Sequence, residues 1–200
     1  MINEGKAILL PKDMIPKKTI KGYKLFIKKG NDIYPLFVNA NDNIPIGKWV
    51  AAEFGPAMPG PKGGVKSKLG RLAFRPGFHS GNMPLATHIG GKSSSKTTKP
   101  DYRPDNQVWA EVLLPDDVNW QEEANKRATI SKSGKIIART AHITDQLPTG
   151  GHYSYKTNSN MTGSWLISGA IKITKILSDA QVKKINAKFG VSDLPRLKDL

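Results

Sequence analysis

The chain has 200 residues, 38% of them hydrophobic, and sets 31 lysines and arginines against 16 acidic residues for a formal net charge of +15. That length supports one compact core, burying roughly 70% of the surface an unfolded chain exposes, so a single domain over residues 1–200 is expected without a metal or disulfide staple. The absence of cysteine excludes thiol chemistry, disulfides and cysteine-ligated zinc or iron–sulfur centres.

No apolar run approaches the roughly 20 residues of a membrane helix, and no signal-peptide pattern opens the chain. A soluble, cytoplasmic protein with no membrane contact is expected. The excess of basic residues attracts polyanions, which makes nucleic acid or an acidic protein candidate partners. Lysines outnumber arginines, however, and base-reading sites favour the arginine fork.

Residues 12–29 are dense in lysine, yet Gly22-Tyr23-Lys24-Leu25-Phe26-Ile27-Lys28-Lys29 alternates as a strand does. Gly30-Asn31-Asp32 turns it into a second strand over residues 33–38, where Pro35 marks an edge or a bulge. A third strand is expected over residues 48–54. Residues 55–70, rich in proline, glycine and lysine, have loop composition, and a mobile basic loop is expected there.

The next run, Leu72-Ala73-Phe74-Arg75-Pro76-Gly77-Phe78-His79-Ser80-Gly81, is an apolar strand ending abruptly in a turn. A strand holds its last side chain rigidly while the following loop leaves a ligand room to approach, so Arg75 and His79 become candidate site residues. The alternative is a surface hairpin with a merely exposed histidine. Residues 90–106, with a Lys92-Ser93-Ser94-Ser95-Lys96-Thr97-Thr98-Lys99-Pro100 core, lack apolar periodicity and read as a second flexible loop.

Gln107-Val108-Trp109-Ala110-Glu111-Val112-Leu113-Leu114 is apolar on both faces apart from Gln107 and Glu111 and predicts a central strand. A carboxylate there requires a partner or a task, so Glu111 is either a salt-bridged rim residue or a site carboxylate. Residues 116–127 predict a short helix, acidic at its start and basic at its end, with Trp120 and Ala124 on its inner face. Residues 128–135 follow as a basic hairpin or loop. Lys126, Arg127, Lys132, Lys135 and Arg139 form a candidate nucleic-acid patch, with an ordinary charged loop as the alternative.

In the last third, residues 152–158 predict a strand carrying Tyr153 and Tyr155 on one face. Residues 165–177 predict another, with Gly169 placed for a bulge. Ser178 with Gln181 forms a capping box, and Val182, Ile185 and Phe189 make one apolar stripe of a helix that Gly190 ends. The four histidines, at 79, 88, 142 and 152, have no i, i+4 pair, and no metal site is expected. A nucleoside-triphosphate loop, a Gly-x-Gly-x-x-Gly fingerprint and serine-hydrolase signatures are all missing.

The order of elements, with Arg75-Pro76-Gly77-Phe78-His79-Ser80-Gly81 first, a tyrosine strand next and Ser164-Trp165-Leu166-Ile167 last, resembles the core of the ADP-ribosyltransferase superfamily in its diphtheria-toxin and poly-ADP-ribose-polymerase branch. The resemblance covers residues 70–177. It implies an α+β domain, a mostly antiparallel sheet with two or three short flanking helices, that binds NAD. In this likeness His79, Ser80 and Gly81 hold the NAD ribose and Tyr153 or Tyr155 stacks on nicotinamide, while the toxin branch that uses an arginine on the early strand implies that Arg75 grips the NAD phosphate.

The chain departs from that family's pattern at the catalytic glutamate, where Ser164 stands, and no Glu-x-Glu occurs. Serine has no charge with which to stabilise an oxocarbenium-like sugar, which leaves Glu111 as the candidate catalytic carboxylate beside His79. The chain also resembles small basic proteins of phages and other mobile elements, implying action in a host cytoplasm on a host macromolecule. The competing expectation is a non-catalytic accessory or inhibitor protein whose basic face holds nucleic acid or an acidic host protein.

Overall fold

A computed structural model describes residues 7–59, 64–127, 129–130, 132–134, 136–137, 143–157 and 160–200. The strands are β1 (Thr19–Lys29), β2 (Asp32–Tyr34), β3 (Trp49–Ala51), β4 (Val65–Ser67), β5 (Gly70–Leu72), β6 (Phe78–Gly81), β7 (Gln107–Pro115), β8 (Val118–Asn119), β9 (Thr129–Ile130), β10 (Ile136–Ile137), β11 (Gly151–Tyr155), β12 (Trp165–Ser168) and β13 (Ala170–Ile176). The helices are α1 (Gln121–Lys126) and α2 (Asp179–Ala187).

Among the described residues nine strands join one sheet in the order β3-β13-β7-β1-β6-β12-β11-β8, with β2 also on β1. The alternating residues 19–29 and the apolar residues 107–115 make its spine, running antiparallel from Thr19↔Pro115 to Ile27↔Gln107. Apart from a parallel β8–β11 pairing the named strands are antiparallel. The molecule is thus one mostly-β domain with two helices.

Gly169 decides the shape of the sheet. It alone separates β12 from β13, yet in sheet order these strands flank β7, β1 and β6. Four strand spacings in a flat sheet span about 19 Å, far beyond the reach of one residue, so the sheet must curl until β12 and β13 form one bent strand. A β-carbon at Gly169 would lie 2.4 Å from the Pro148 carbonyl oxygen, so only glycine passes through this corner.

The curl gives the sheet an inside and an outside. Phe26, Val112, Leu114, Leu166, Ile171 and Ile173 converge within it, all nearly inaccessible to solvent. Each such side chain contributes about 1.5–3 kcal/mol on burial. The alternate residues Leu25 and Trp109 face outward and pack under α2 through Val182 and Leu177. Tyr153, Tyr155 and Ile167 form a third cluster with Ala124 of α1 and Ile143.

Several expectations are met locally and others corrected. The capping box of α2 forms, with Ser178 Oγ accepting from Gln181 N and Gln181 Oε1 accepting from Ser178 N. The helix stops at Ala187, and its buried residues are Val182 and Asn186, whereas Phe189 is exposed because it lies past the last turn. The bulge is not at Gly169 but between Ile173 and Lys175, where β13 slips against β7.

Within residues 55–70, expected as loop, Val65–Ser67 pairs with Gly70–Leu72 as a hairpin, because Val65 buries its side chain. The run at 72–81 is not one strand. It leaves β5 after Leu72 and re-enters the sheet only at Phe78, so His79 stands within a strand and not in the turn after it. Residues 90–106 lack named strands but are anchored by Arg103, buried and bonded to Asp193, Gln107 and the main chain of Ala86 and Ile89. Residues 129–130 and 136–137 pair within the expected basic hairpin, while residues 128, 131 and 135 lie outside the described residues.

Candidate functional site

The site grows from a split along β1. On the edge away from β7, the second half of β1 pairs with β2 from Ile27↔Tyr34 to Lys29↔Asp32, whereas its first half pairs with β6 at Tyr23↔Gly81. Between these pairings the strand edge at Lys24, Leu25 and Phe26 opens into a gap. A cavity of about 760 Å³ occupies it, lined by residues of both sheet faces. That volume is typical of sites for drug-sized ligands and cofactors.

Arg75, His79, Ser80, Gly81 and Tyr155, proposed from sequence, all line this cavity. The connection from β5 to β6 brings them there. Gly77, at φ +132°, lets this segment lie so close to β12 that a β-carbon would meet Ile167 Cγ2 at 2.7 Å. Arg75 then lays its guanidinium over the Tyr155 ring at 5.1 Å, in a cation–π contact. Its Nε is buried and has no acceptor among the described residues.

His79 Nε2 lies 2.9 Å from the Arg75 main-chain oxygen, so in the neutral ring Nε2–H donates and Nδ1 is the acceptor. Burial pushes its pKa down to about 4, the carbonyl of Arg75 working against that and the charges of Lys24 and Arg75 with it. Ser80 is 1% exposed and its hydroxyl has no hydrogen-bond partner among the described residues. Lys24 reaches across the gap and donates from Nζ to His79 O at 2.8 Å; burial lowers its pKa to about 8.

Aromatic walls complete the cavity. Phe74 lines it and stacks on the neighbouring Phe54 with centroids 6.0 Å apart, and His88 meets the Trp165 ring edge-on at 5.6 Å. Burial holds the His88 pKa below its ordinary value. Asp42 and Glu53 also line the cavity, and burial raises both carboxyl pKa values, with Asp42 adding to the rise at Glu53. The walls thus offer donors, cations and aromatic faces.

Comparison of the chain with family models, curated proteins and solved structures finds no match. Function therefore rests on this geometry.

Two of the expected residues stand elsewhere. Tyr153 shares a strand face with Tyr155 but is fully buried, its hydroxyl accepting from Ile143 N at 3.2 Å. Burial drives its pKa up to about 12, and its ring cannot stack on a ligand. Glu111 falls in one transverse row of paired residues, Glu111↔Tyr23↔Gly81↔Trp165↔Tyr155. Four strand spacings put it about 19 Å along the sheet from Tyr155, outside the cavity lining.

Glu111 has its partners there: Lys21 Nζ at 3.1 Å, Lys175 Nζ at 3.7 Å and the Thr174 hydroxyl at 3.1 Å. Burial works to raise its pKa, but the hydrogen bonds from Lys21 and Thr174 and both lysine charges outweigh it and hold the carboxyl below its ordinary value. This is a salt-bridged carboxylate in the middle of a central strand, not at a sheet rim. Ser164, at the expected glutamate position, donates its main-chain N–H to Asn82 Oδ1.

The basic patch is partly neutralised within the protein. Lys126 pairs with Glu122 at 3.0 Å, and Arg127 pairs with Glu123 at 2.9 Å and with Asp145. Lys132 is exposed; Lys135 and Arg139 lie outside the described residues. Among the described residues no cluster of histidine and acidic side chains could hold a metal, and no helix is long and apolar enough to cross a membrane.

Lys24 is one of the cavity residues that sequence reasoning missed, with Asp42 and Glu53. The available signal was its parity: it stands two residues from Gly22 and from Phe26, on the face that alternation assigns to the interior.

Proposed function

We propose that this protein binds a nucleotide anion of the NAD class in the cavity at the β1 split, with Arg75 as its anion-gripping residue and His79 and Tyr155 beside it. The supporting observation is Arg75 itself: a guanidinium held on an aromatic ring inside a ligand-sized cavity, its Nε–H buried without an acceptor among the described residues. A buried donor left unsatisfied costs about 1–3 kcal/mol, which a phosphate oxygen would recover. Because Arg75 covers the Tyr155 ring, stacking of nicotinamide there requires the guanidinium to move.

In this reading neutral His79 accepts a hydrogen bond from a ligand hydroxyl at Nδ1, and Phe74, backed by Phe54, supplies an apolar surface for a ring. Glu111 has no part in the site. An ADP-ribosyl transfer would therefore need its charge stabilisation from a carboxylate lining the cavity, Asp42 or Glu53, and binding is the activity the geometry supports best. The test is calorimetric titration with NAD at two salt concentrations. Saturable binding lost in Arg75→Ala and retained in Glu111→Gln is expected; absence of binding by the wild type at millimolar NAD overturns the proposal.

A further inference from the structure

On the interior side of β6, opposite His79, two polar groups have no explanation in the packing. Alternation places Ser80 on the same face as Phe78, which packs against the interior cluster, and Lys24 on the face of Phe26. The antiparallel register Tyr23↔Gly81 makes Lys24 and Ser80 the next facing positions of the same two strands. Both line the cavity.

The Lys24 ammonium meets the His79 carbonyl at 2.8 Å and the Phe26 ring at 5.6 Å, with no carboxylate in ion-pair reach among the described residues. The Ser80 hydroxyl, at 1% exposure, has no hydrogen-bond partner among the described residues. A part-buried ammonium without a counter-ion and an unsatisfied buried hydroxyl both carry a desolvation cost. An anionic oxygen group that accepts from both relieves the two together.

We infer that Lys24 and Ser80 form an inner phosphate subsite of this cavity, separate from the outer one at Arg75 and on the opposite face of β6. The inference rests on the reading of the cavity as a nucleotide site but names a different pair of residues. Two phosphate-gripping points on either side of β6 suit a ligand with linked phosphates, a diphosphate, threaded through the gap between β2 and β6 along the edge of β1. Lys24 supplies the charge and Ser80 a directional hydrogen bond, both carried by strands and so fixed in place.

The test is calorimetric titration of the full chain with inorganic pyrophosphate and with NAD, using wild type, Lys24→Met, Ser80→Ala and Arg75→Ala, with Lys126→Met as an exposed-lysine control. Pyrophosphate binding weakened about tenfold or more by Lys24→Met and severalfold by Ser80→Ala, and unchanged by Lys126→Met, is expected for a charge-assisted contact. Pyrophosphate that binds equally to wild type and both variants, or does not bind the wild type, overturns the subsite. NAD binding lost with Arg75→Ala but untouched by Lys24→Met leaves the nucleotide reading standing and removes the inner subsite. Lys24-dependent binding of pyrophosphate without any binding of NAD does the reverse. Should Lys24→Met fail to fold, the Ser80→Ala titration decides.

Discussion

Lys24 Nζ donates to the main-chain oxygen of His79 at 2.8 Å, tying β1 to β6 at the point where their pairing ends. One residue thereby connects the two sides of the gap and carries a charge into a place that disfavours it. Burial lowers its pKa to about 8 from an ordinary 10.5. Below pH 8 both folded and unfolded chains hold the proton, and the folded state bears the full desolvation cost. As pH rises from 8 to 10.5 the folded state releases the proton first and regains stability. Lys24→Met is therefore expected to raise the melting temperature at pH 7, by a stabilisation of about 1–3 kcal/mol, with the advantage shrinking by pH 10. Calorimetry at both pH values checks this, and a mutant less stable than the wild type at pH 7 refutes it.

His79 carries the opposite pH signature. Its folded pKa of about 4 lies below the ordinary 6.5, so on acidification the unfolded chain takes up the proton first. The stability gained from neutral burial is complete above pH 6.5 and is lost as pH falls to 4, by up to about 3 kcal/mol. Urea midpoints measured from pH 7 to 4 should fall, and in His79→Gln the part of that fall due to this residue should vanish. An identical acid slope in the two proteins would show that the imidazole is not buried neutral.

Asp193 holds the C-terminal segment to the sheet through Arg103, bonded through Nη2 at 2.8 Å with side chains only 2% and 6% exposed, and through Trp109 Nε1 at 2.7 Å. Asp193→Ala strands a buried guanidinium, a change that costs about 3–5 kcal/mol. Removing the exposed Glu122 carboxylate, which pairs with Lys126, should cost under about 1 kcal/mol. Chemical denaturation of the two variants measures the contrast directly.

Gly169→Ala tests the closure of the sheet. The added β-carbon would meet the main chain at Pro148, which cannot swing aside as a side-chain end can, and overpacking of about 1–3 kcal/mol is expected. Gly134→Ala, at φ +78° with nothing near, should cost about 1 kcal/mol from backbone strain alone. Loss of hydrogen-exchange protection across β12 and β13 in Gly169→Ala but not in Gly134→Ala is the expected pattern.

Where local chemistry dictates structure, the sequence was legible. Alternation predicts β1, a run apolar on both faces predicts the central strand β7, Ser178 and Gln181 predict the start of α2, and the isolated carboxylate of Glu111 predicts that it needs a partner. The break at 72–77 was not legible, because an apolar run is equally compatible with a strand and with a segment packed on one. The exposure of Phe189 was missed for a related reason: the helical stripe continues past the residue at which the helix ends.

Composition and spacing by themselves determined a single cysteine-free domain, its strand-rich character, its basic surface and the cluster at 75–81, since each of these depends on neighbours in the chain. Only the tertiary structure decided that β1 splits, that Lys24 faces Ser80, that Tyr153 is core while Tyr155 lines the cavity, and that Glu111 lies four strands from Tyr155. Those outcomes follow from which strand edges meet and from the curl that Gly169 permits. Pairing between residues far apart in sequence is set by the packing of the whole sheet and leaves no local trace.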